Sequence, residues 1–343
     1  MTNSRGDIPA VARLATRPRA LKFFIGLAVS ATLIALIAQR TDFRQVGTLI
    51  LDLSWRTLAT ASLLLTLDFA AKIARWHLML APVAPANSWR VSAQTLIASI
   101  ALNNLLPLRA GDAARVFAFR DALQAPASTL LPLLVLERLL DTAMLIVLAA
   151  AVLIPIESAG LLPNGFEFVK PLAAAVVAVM AVLAIFSAPI ARRLKQHEAA
   201  LTARLPIRAR DPFTRALAAI APQLTGRQAT KLIALTALAW LLEGAMFCVL
   251  AGGFHFPQPL LSGALACALA TLSSLIPSAP GAFGTFHAAA IAAVTLTGAT
   301  STDSAAAYAI VVHAFMWLPL TLIGIACFAA LTLKSPAPPK DPT

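Results

Sequence analysis

Charged side chains are scarce in this sequence, so those that fall inside apolar stretches carry the first information about chemistry. One such place is Glu137-Arg138-Leu139-Leu140-Asp141, within a long hydrophobic run. On a helix Glu137 and Asp141 share a face, and Arg138 lies three residues before Asp141. Three ionisable groups in a lipid-length helix are costly, so they must face protein and be paired. They either line a substrate path or lock two helices together. A second place is Asp68, Lys72 and Arg75, spaced four and then three apart on one face. Lys72 and Arg75 lie near the cytoplasmic end of their run, where long cations snorkel to water, whereas Asp68 is deeper. Glu243, within Trp240–Leu250, is the matching intramembrane acid of the second half.

Two further runs combine charge or glycine with turn residues. Gly111-Asp112-Ala113-Ala114-Arg115 continues to Arg120 and Asp121. A helix starting near Gly111 places Asp112 and Arg115 on one face, and its N-terminus beside a guanidinium forms a cradle for an anion or phosphate. A cytoplasmic amphipathic helix with solvated charges has the same pattern. Pro277-Ser278-Ala279-Pro280-Gly281-Ala282-Phe283-Gly284 is followed by His287. Its glycines would let a lipid headgroup approach the backbone closely. His287 is either a proton-linked switch or a satisfied buried histidine. His255 and His313 are far apart in sequence, and no pair of histidines has metal-ligand spacing, so no metal is expected. Walker, GxGxxG, HExxH and GxSxG motifs are absent, so no cofactor, ATP-driven pumping or enzymatic reaction is expected.

The elements that must position these residues follow from composition. Of 343 residues 59% are hydrophobic and 12% charged, about half the charged share of a soluble domain; mean hydropathy is +0.81. Apolar runs of about 20 residues match a hydrocarbon core, and backbone groups in lipid must bond within their own segment, so the runs are helices. The fold class expected is all-α, a polytopic membrane helix bundle. Six spans are predicted, at Phe23–Gln39, Arg56–Leu80, Thr129–Pro155, Pro171–Ile190, Ala229–Gly253 and Ser304–Leu333. Two stretches interrupted by proline and glycine, Ser92–Leu108 and Ser262–Gly298, are predicted to be re-entrant. Cys248, Cys267 and Cys327 lie in apolar runs and read as small hydrophobes.

The net charge of +12 resides in short basic segments beside apolar spans, a topology signal and a means of contacting anionic lipid rather than nucleic acid. The basic tail 1–22 and the loop 191–228 are expected in the cytoplasm, as is the Pro-rich tail 334–343; the loop 156–170, with Glu157 and Glu167, is expected outside. No small-residue cleavage site follows the tail, so the first run reads as a span or signal anchor. The halves 23–155 and 171–333 make an inverted repeat. Leu105-Leu106-Pro107 to Gly111 matches Leu275-Ile276-Pro277 to Gly281 at an offset of 170 residues. Paired broken segments of this kind are the best sequence pointer to a transporter's substrate site.

Leu106-Pro107 to Arg120, Leu136 to Asp141, and Ile276-Pro277 to Gly284, in that order, resemble the lysylphosphatidylglycerol synthase transmembrane-region family of flippase-like membrane proteins. The resemblance covers about Leu58 to Leu331. It implies a bacterial cytoplasmic-membrane domain that moves polar lipids between leaflets. The soluble aminoacyl-transferase domain of the best-known members is not expected after Thr343. The partner implied is a membrane lipid: an anionic phospholipid, a polyprenyl phosphate-linked glycan or a hopanoid-type lipid. Envelope-lipid biosynthesis enzymes are further partners, and a membrane-embedded transferase or a non-catalytic scaffold are the rival functions. The site set expected is Gly111, Asp112, Arg115, Glu137, Arg138, Asp141, Pro277, Pro280, Gly281 and Gly284, with Asp68, Arg75, Glu243 and His287 in secondary place. Family members often carry an acid where this chain has His287.

Overall fold

The long apolar runs do form helices. The structure is a computed structural model that describes residues 17–158, 196–276, 278–299 and 301–333, with isolated positions between 171 and 193. Among the described residues there is no strand. The predicted span Phe23–Gln39 is α1 (Arg17–Ala38). It turns through 84° into a short amphipathic helix, α2 (Phe43–Leu51), that an apolar count alone does not foresee. Asp42 starts α2 by accepting from the Arg44 amide at 2.9 Å, a side-chain N-cap. Ser54 caps α3 (Trp55–Leu80) and Ser88 caps α4 (Trp89–Leu105) in the same way.

The first broken segment ends α4 where expected. The proline ring of Pro107 keeps Leu106 out of the helical region (φ −108°, ψ 147°). A single 3₁₀ turn, Pro107–Arg109, leads into α5 (Ala110–Phe117), with Arg109 in the left-handed region at φ 54°. The charged run does not continue as one helix to Asp121. It breaks after Phe117 and resumes as α6 (Arg120–Leu123), followed by the 32-residue α7 (Ala127–Ser158).

The span predicted at 171–190 and the tails 1–16 and 334–343 lie largely outside the described residues. The basic segment 191–228 is more than a loop, because it contains α8 (Glu198–Ala203) and α9 (Ile207–Gln223). Buried Gln223 anchors α9 by donating Nε2 to the Met79 carbonyl at 2.9 Å. Next come α10 (Gly226–Gly253) and α11 (Pro259–Ser273), then a 3₁₀ turn at Pro280–Ala282, α12 (Thr285–Leu296) and α13 (Thr302–Thr332). The second broken segment therefore has the same helix–turn–helix form as the first.

Among the described residues α3, α10 and α13 are long and apolar enough to cross a membrane, with the bent α1–α2 pair a fourth if it crosses as one. Large apolar side chains on the outer faces, such as Leu241, Leu318 and Leu322, are exposed, as lipid-facing residues are. The inner faces use small residues that let helices approach: Ala305, Ala306, Ala307 and Ala309 of α13 are all buried. Helix α3 packs along α10, α4 along α13, and α7 against α11. The two 3₁₀ turns meet between these pairs. That meeting point is where the charged residues converge.

Candidate functional site

Each charged face identified in the sequence finds a partner on another helix. Arg75 of α3 donates Nη1 to Asp141 Oδ1 at 2.6 Å and Nη2 to Asp141 Oδ2 at 3.1 Å, a bidentate pair across to α7. Trp240 Nε1 of α10 donates to the same Asp141 at 3.0 Å, and Thr236 Oγ1 accepts from Arg75 at 3.0 Å. Three helices are thus joined at one carboxylate. Arg115 of α5 makes a second bidentate pair, to Glu137 Oε1 at 2.9 Å and Oε2 at 3.2 Å. Its guanidinium lies 4.4 Å from the Trp76 ring centroid, a cation–π contact. Arg138 donates to Asp112 at 2.9 Å and lies 3.6 Å from both Glu137 and Asp141.

Lys72 does not snorkel towards water. It donates to Asp68 Oδ2 at 2.9 Å, one turn earlier, and to Glu243 Oε2 of α10. The expectation failed because two acids at the α3–α10 interface hold the ammonium more strongly than a route to the surface would.

These groups surround a cavity of about 460 Å³ between the two broken segments. Its charged wall includes Lys72, Arg75, Arg109, Arg138, Asp141 and Glu243. Phe69, Leu96, Ile100, Phe286, Met316 and Leu320 make it apolar elsewhere. Of the three arginines paired around the cavity, Arg75, Arg115 and Arg138, the last is the least buried, with 36% of its side chain exposed. Arg109 has no carboxylate within 4.0 Å among the described residues; its Nη2 instead donates to Ser274 Oγ at 2.9 Å, across the junction of the two turns. Asn104 reaches over the same junction and donates to Thr321 at 2.9 Å.

Of the expected site residues, Arg75, Glu137, Arg138, Asp141, Glu243, Pro280 and Gly281 line the cavity. Gly111, Asp112, Arg115, Gly284, Asp68 and His287 stand behind the wall rather than on it. Pro277 lies outside the described residues. The correction of most consequence concerns Arg115. Fully buried and matched by Glu137, it holds α5 on α7 and presents nothing to a headgroup. Asp112 and Asn103 lock the first turn by exchanging two hydrogen bonds, at 3.0 and 3.1 Å.

The glycines of the repeated motif do different work. At Gly111 an added Cβ would lie 1.8 Å from the Ser99 carbonyl oxygen, so glycine is what lets α5 pack on α4. Gly281 has φ 69°, and a Cβ there would lie 2.6 Å from Trp317 Nε1. His287 joins His313 with ring centroids 4.7 Å apart, and His313 Nε2 meets the Gly281 carbonyl at 2.9 Å. Among the described residues no group of three or more His, Cys, Asp or Glu is placed to hold a metal.

Sequence reasoning passed over Arg109 because nothing nearby in the chain pairs with it. Its place inside the proline–glycine turn was the available signal, since broken backbone at membrane depth is kept where it lines a cavity. The family model described as lysylphosphatidylglycerol synthase TM region matches residues 23–324, spanning both broken segments. The chain belongs to that family. It is an integral, multi-pass membrane protein with an all-α bundle. No curated protein and no solved structure gave a significant match. Within the region matched by the family model, the charge network and the two broken segments border one cavity.

Proposed function

We propose that the protein translocates an anionic, phosphate-bearing lipid between leaflets of a bacterial cytoplasmic membrane, without converting it chemically. The observation that carries this reading is Arg109, a cation without an acidic partner at the junction of two broken segments, in a cavity whose remaining wall is largely apolar. A guanidinium offers a phosphate paired N–H donors, and the apolar wall suits the start of an acyl or prenyl chain. Arg138, partly exposed and shared among three carboxylates, is a further cation on the cavity wall. Thr271 and Trp317 also line the cavity, and Thr271 Oγ1 and Trp317 Nε1 are buried polar atoms without a hydrogen-bond partner among the described residues.

The path is organised as an inverted repeat, with both termini in the cytoplasm. A shift of about 170 residues carries α3 onto α10 and α4 onto α11. The two cross-half pairings, α4 with α13 and α7 with α11, are then equivalents of each other. Lys72 of α3 and Glu243 of α10 touch across the interface between the two corresponding helices. Alternating access in such folds is a rocking of one repeat against the other around a central site.

Reconstitution into vesicles containing fluorescent phosphatidylglycerol tests the reading. Wild-type protein should bring inner-leaflet label within reach of an external quencher, and Arg109→Ala should slow this at equal protein content. Absence of lipid movement by wild type, with correctly folded protein in the vesicles, would overturn it. A changed lipid on chromatography would instead identify a transferase.

A further inference from the structure

The cavity wall carries two opposite surpluses of charge. At the α3–α10 interface one ammonium, Lys72, serves two carboxylates, Asp68 and Glu243. Asp68 is 0% and Glu243 1% exposed, and Asp68 Oδ1 and Glu243 Oε1 are buried with no hydrogen-bond partner. The triad therefore holds one negative charge more than its cation answers, in surroundings that penalise an unanswered charge. Across the cavity, Arg75, Arg115 and Arg138 face Asp112, Glu137 and Asp141 one for one. Arg109 is left as a positive surplus.

Taken together, the two surpluses offset each other at a distance. A singly charged anionic headgroup at Arg109 removes the positive one and leaves the negative one exposed within a weakly screening space. A proton from the aqueous phase, added to one of the two triad carboxylates to give a carboxylic acid, restores neutrality and moves no electrons. We propose that Asp68, Lys72 and Glu243 form a proton-binding site coupled to occupancy of the cavity by an anionic lipid, one proton for each such lipid. The proposal rests on the reading that the cavity carries a lipid, and it names the energy source of that movement.

A proton fits this site better than a metal cation does. A metal ion would need a shell of oxygen donors, whereas the neighbours here are the Lys72 ammonium and the rings of Phe69 and Trp240, whose centroids lie 4.8 and 5.0 Å from Nζ. The titratable groups facing the triad are few. Helix α3 adds Arg75; α7 adds Asp141 and, through Arg75, Glu137. Helix α11 presents the buried thiol of Cys267 and α13 presents His313 at the cavity wall, while α4 contributes the uncharged Asn103 and Asn104. Coupling is reciprocal: lipid tightens proton binding by the factor by which the proton tightens lipid binding.

Two measurements test this separately from lipid movement itself. Difference infrared spectra of purified protein in phosphatidylcholine nanodiscs, with and without phosphatidylglycerol, read the C=O stretch of a protonated carboxyl group. That band should grow when phosphatidylglycerol is present and be lost in both Asp68→Asn and Glu243→Gln. Each variant leaves Lys72 one carboxylate, so neither strands a buried ammonium. A band that ignores the lipid, or that survives in both variants, overturns the proposal. In vesicles holding a pH-sensitive dye, wild-type phosphatidylglycerol movement should be faster with one direction of the pH gradient than with the other, with matching internal pH change, and both variants should lose that dependence. Movement indifferent to the gradient overturns the coupling but leaves lipid transfer standing. No movement at all overturns the transfer reading, and the infrared band then decides the proton site alone.

Discussion

Replacing Glu137 with Gln should destabilise the protein more than replacing its partner Arg115 with Met, although both changes break the same pair. The two side chains lose different things. Without the Glu137 charge, Arg115 is left fully buried with Asp112, at 4.0 Å, as its nearest remaining acid. Removing one partner of a buried pair costs about 3–5 kcal/mol, and the one hydrogen bond Gln can keep puts E137Q near the lower end. Without Arg115, Glu137 still has Arg138 at 3.6 Å and Arg75 at 4.0 Å, so its charge stays answered. The loss is then a charged hydrogen-bonded contact, about 1.5–3 kcal/mol, together with the cation–π contact to Trp76, about 0.5–2 kcal/mol. Met packs against the Trp76 ring and recovers most of the second term, so R115M should cost about 1.5–3 kcal/mol, below E137Q. The double variant should cost less than the sum of the two, since no unpaired charge remains. Reversible unfolding of the four proteins in mixed micelles, followed by circular dichroism, measures the cycle. If R115M is the more damaging single change, or if the two changes add, Arg115 is not the buried, matched residue described, and its assignment away from the cavity is wrong.

Three further outcomes follow from the same geometry. Arg109→Ala should cost less than the roughly 1.5–3 kcal/mol of a hydrogen bond from a charged group, because removing a cation without an acidic partner offsets part of that loss, yet reduce labelled phosphatidylglycerol movement in vesicles. Stability and transport falling together would make Arg109 a structural strut between the turns. Gly111→Ala should cost about 1–3 kcal/mol or more, because its Cβ meets the Ser99 carbonyl and the Asn103 amide in backbone that cannot shift cheaply; an unchanged unfolding midpoint would refute the close approach of α5 to α4. Trp240→Phe should cost about 1.5–3 kcal/mol through the lost bond to the Asp141 carboxylate, and a stability equal to wild type would show that bond to be absent.

How far the sequence could be read depended on the range of the interaction in question. Capping is local, so Ser54 marks a helix start within two residues of the predicted Arg56, and Ser88 marks one four residues before the predicted Ser92. The break at Leu106-Pro107 is equally local, because a proline ring excludes the helical conformation of the residue before it wherever it occurs. Asp68 and Lys72 were legible as a pair because they lie one helical turn apart. Arg115 was misread for the opposite reason. Its spacing from Asp112 suggested a local face, but its true partner, Glu137, lies 22 residues away, beyond two breaks. The bend after Ala38 escaped notice because a run of apolar residues sets the length of a helix and not its direction.

The sequence by itself determined that this chain lives in a bilayer, since the lack of water there forces apolar runs to bond internally as helices. It also determined where two of those helices must break, through proline and glycine, and which family the chain resembles. Only the tertiary structure decided which charges answer one another. Which acid matches which arginine, which cation is left without an acid, and which acids must share one lysine all depend on helix pairings separated by up to 171 residues. Side-chain charge is a property of each residue, but charge balance in a weakly screening interior belongs to the packed assembly.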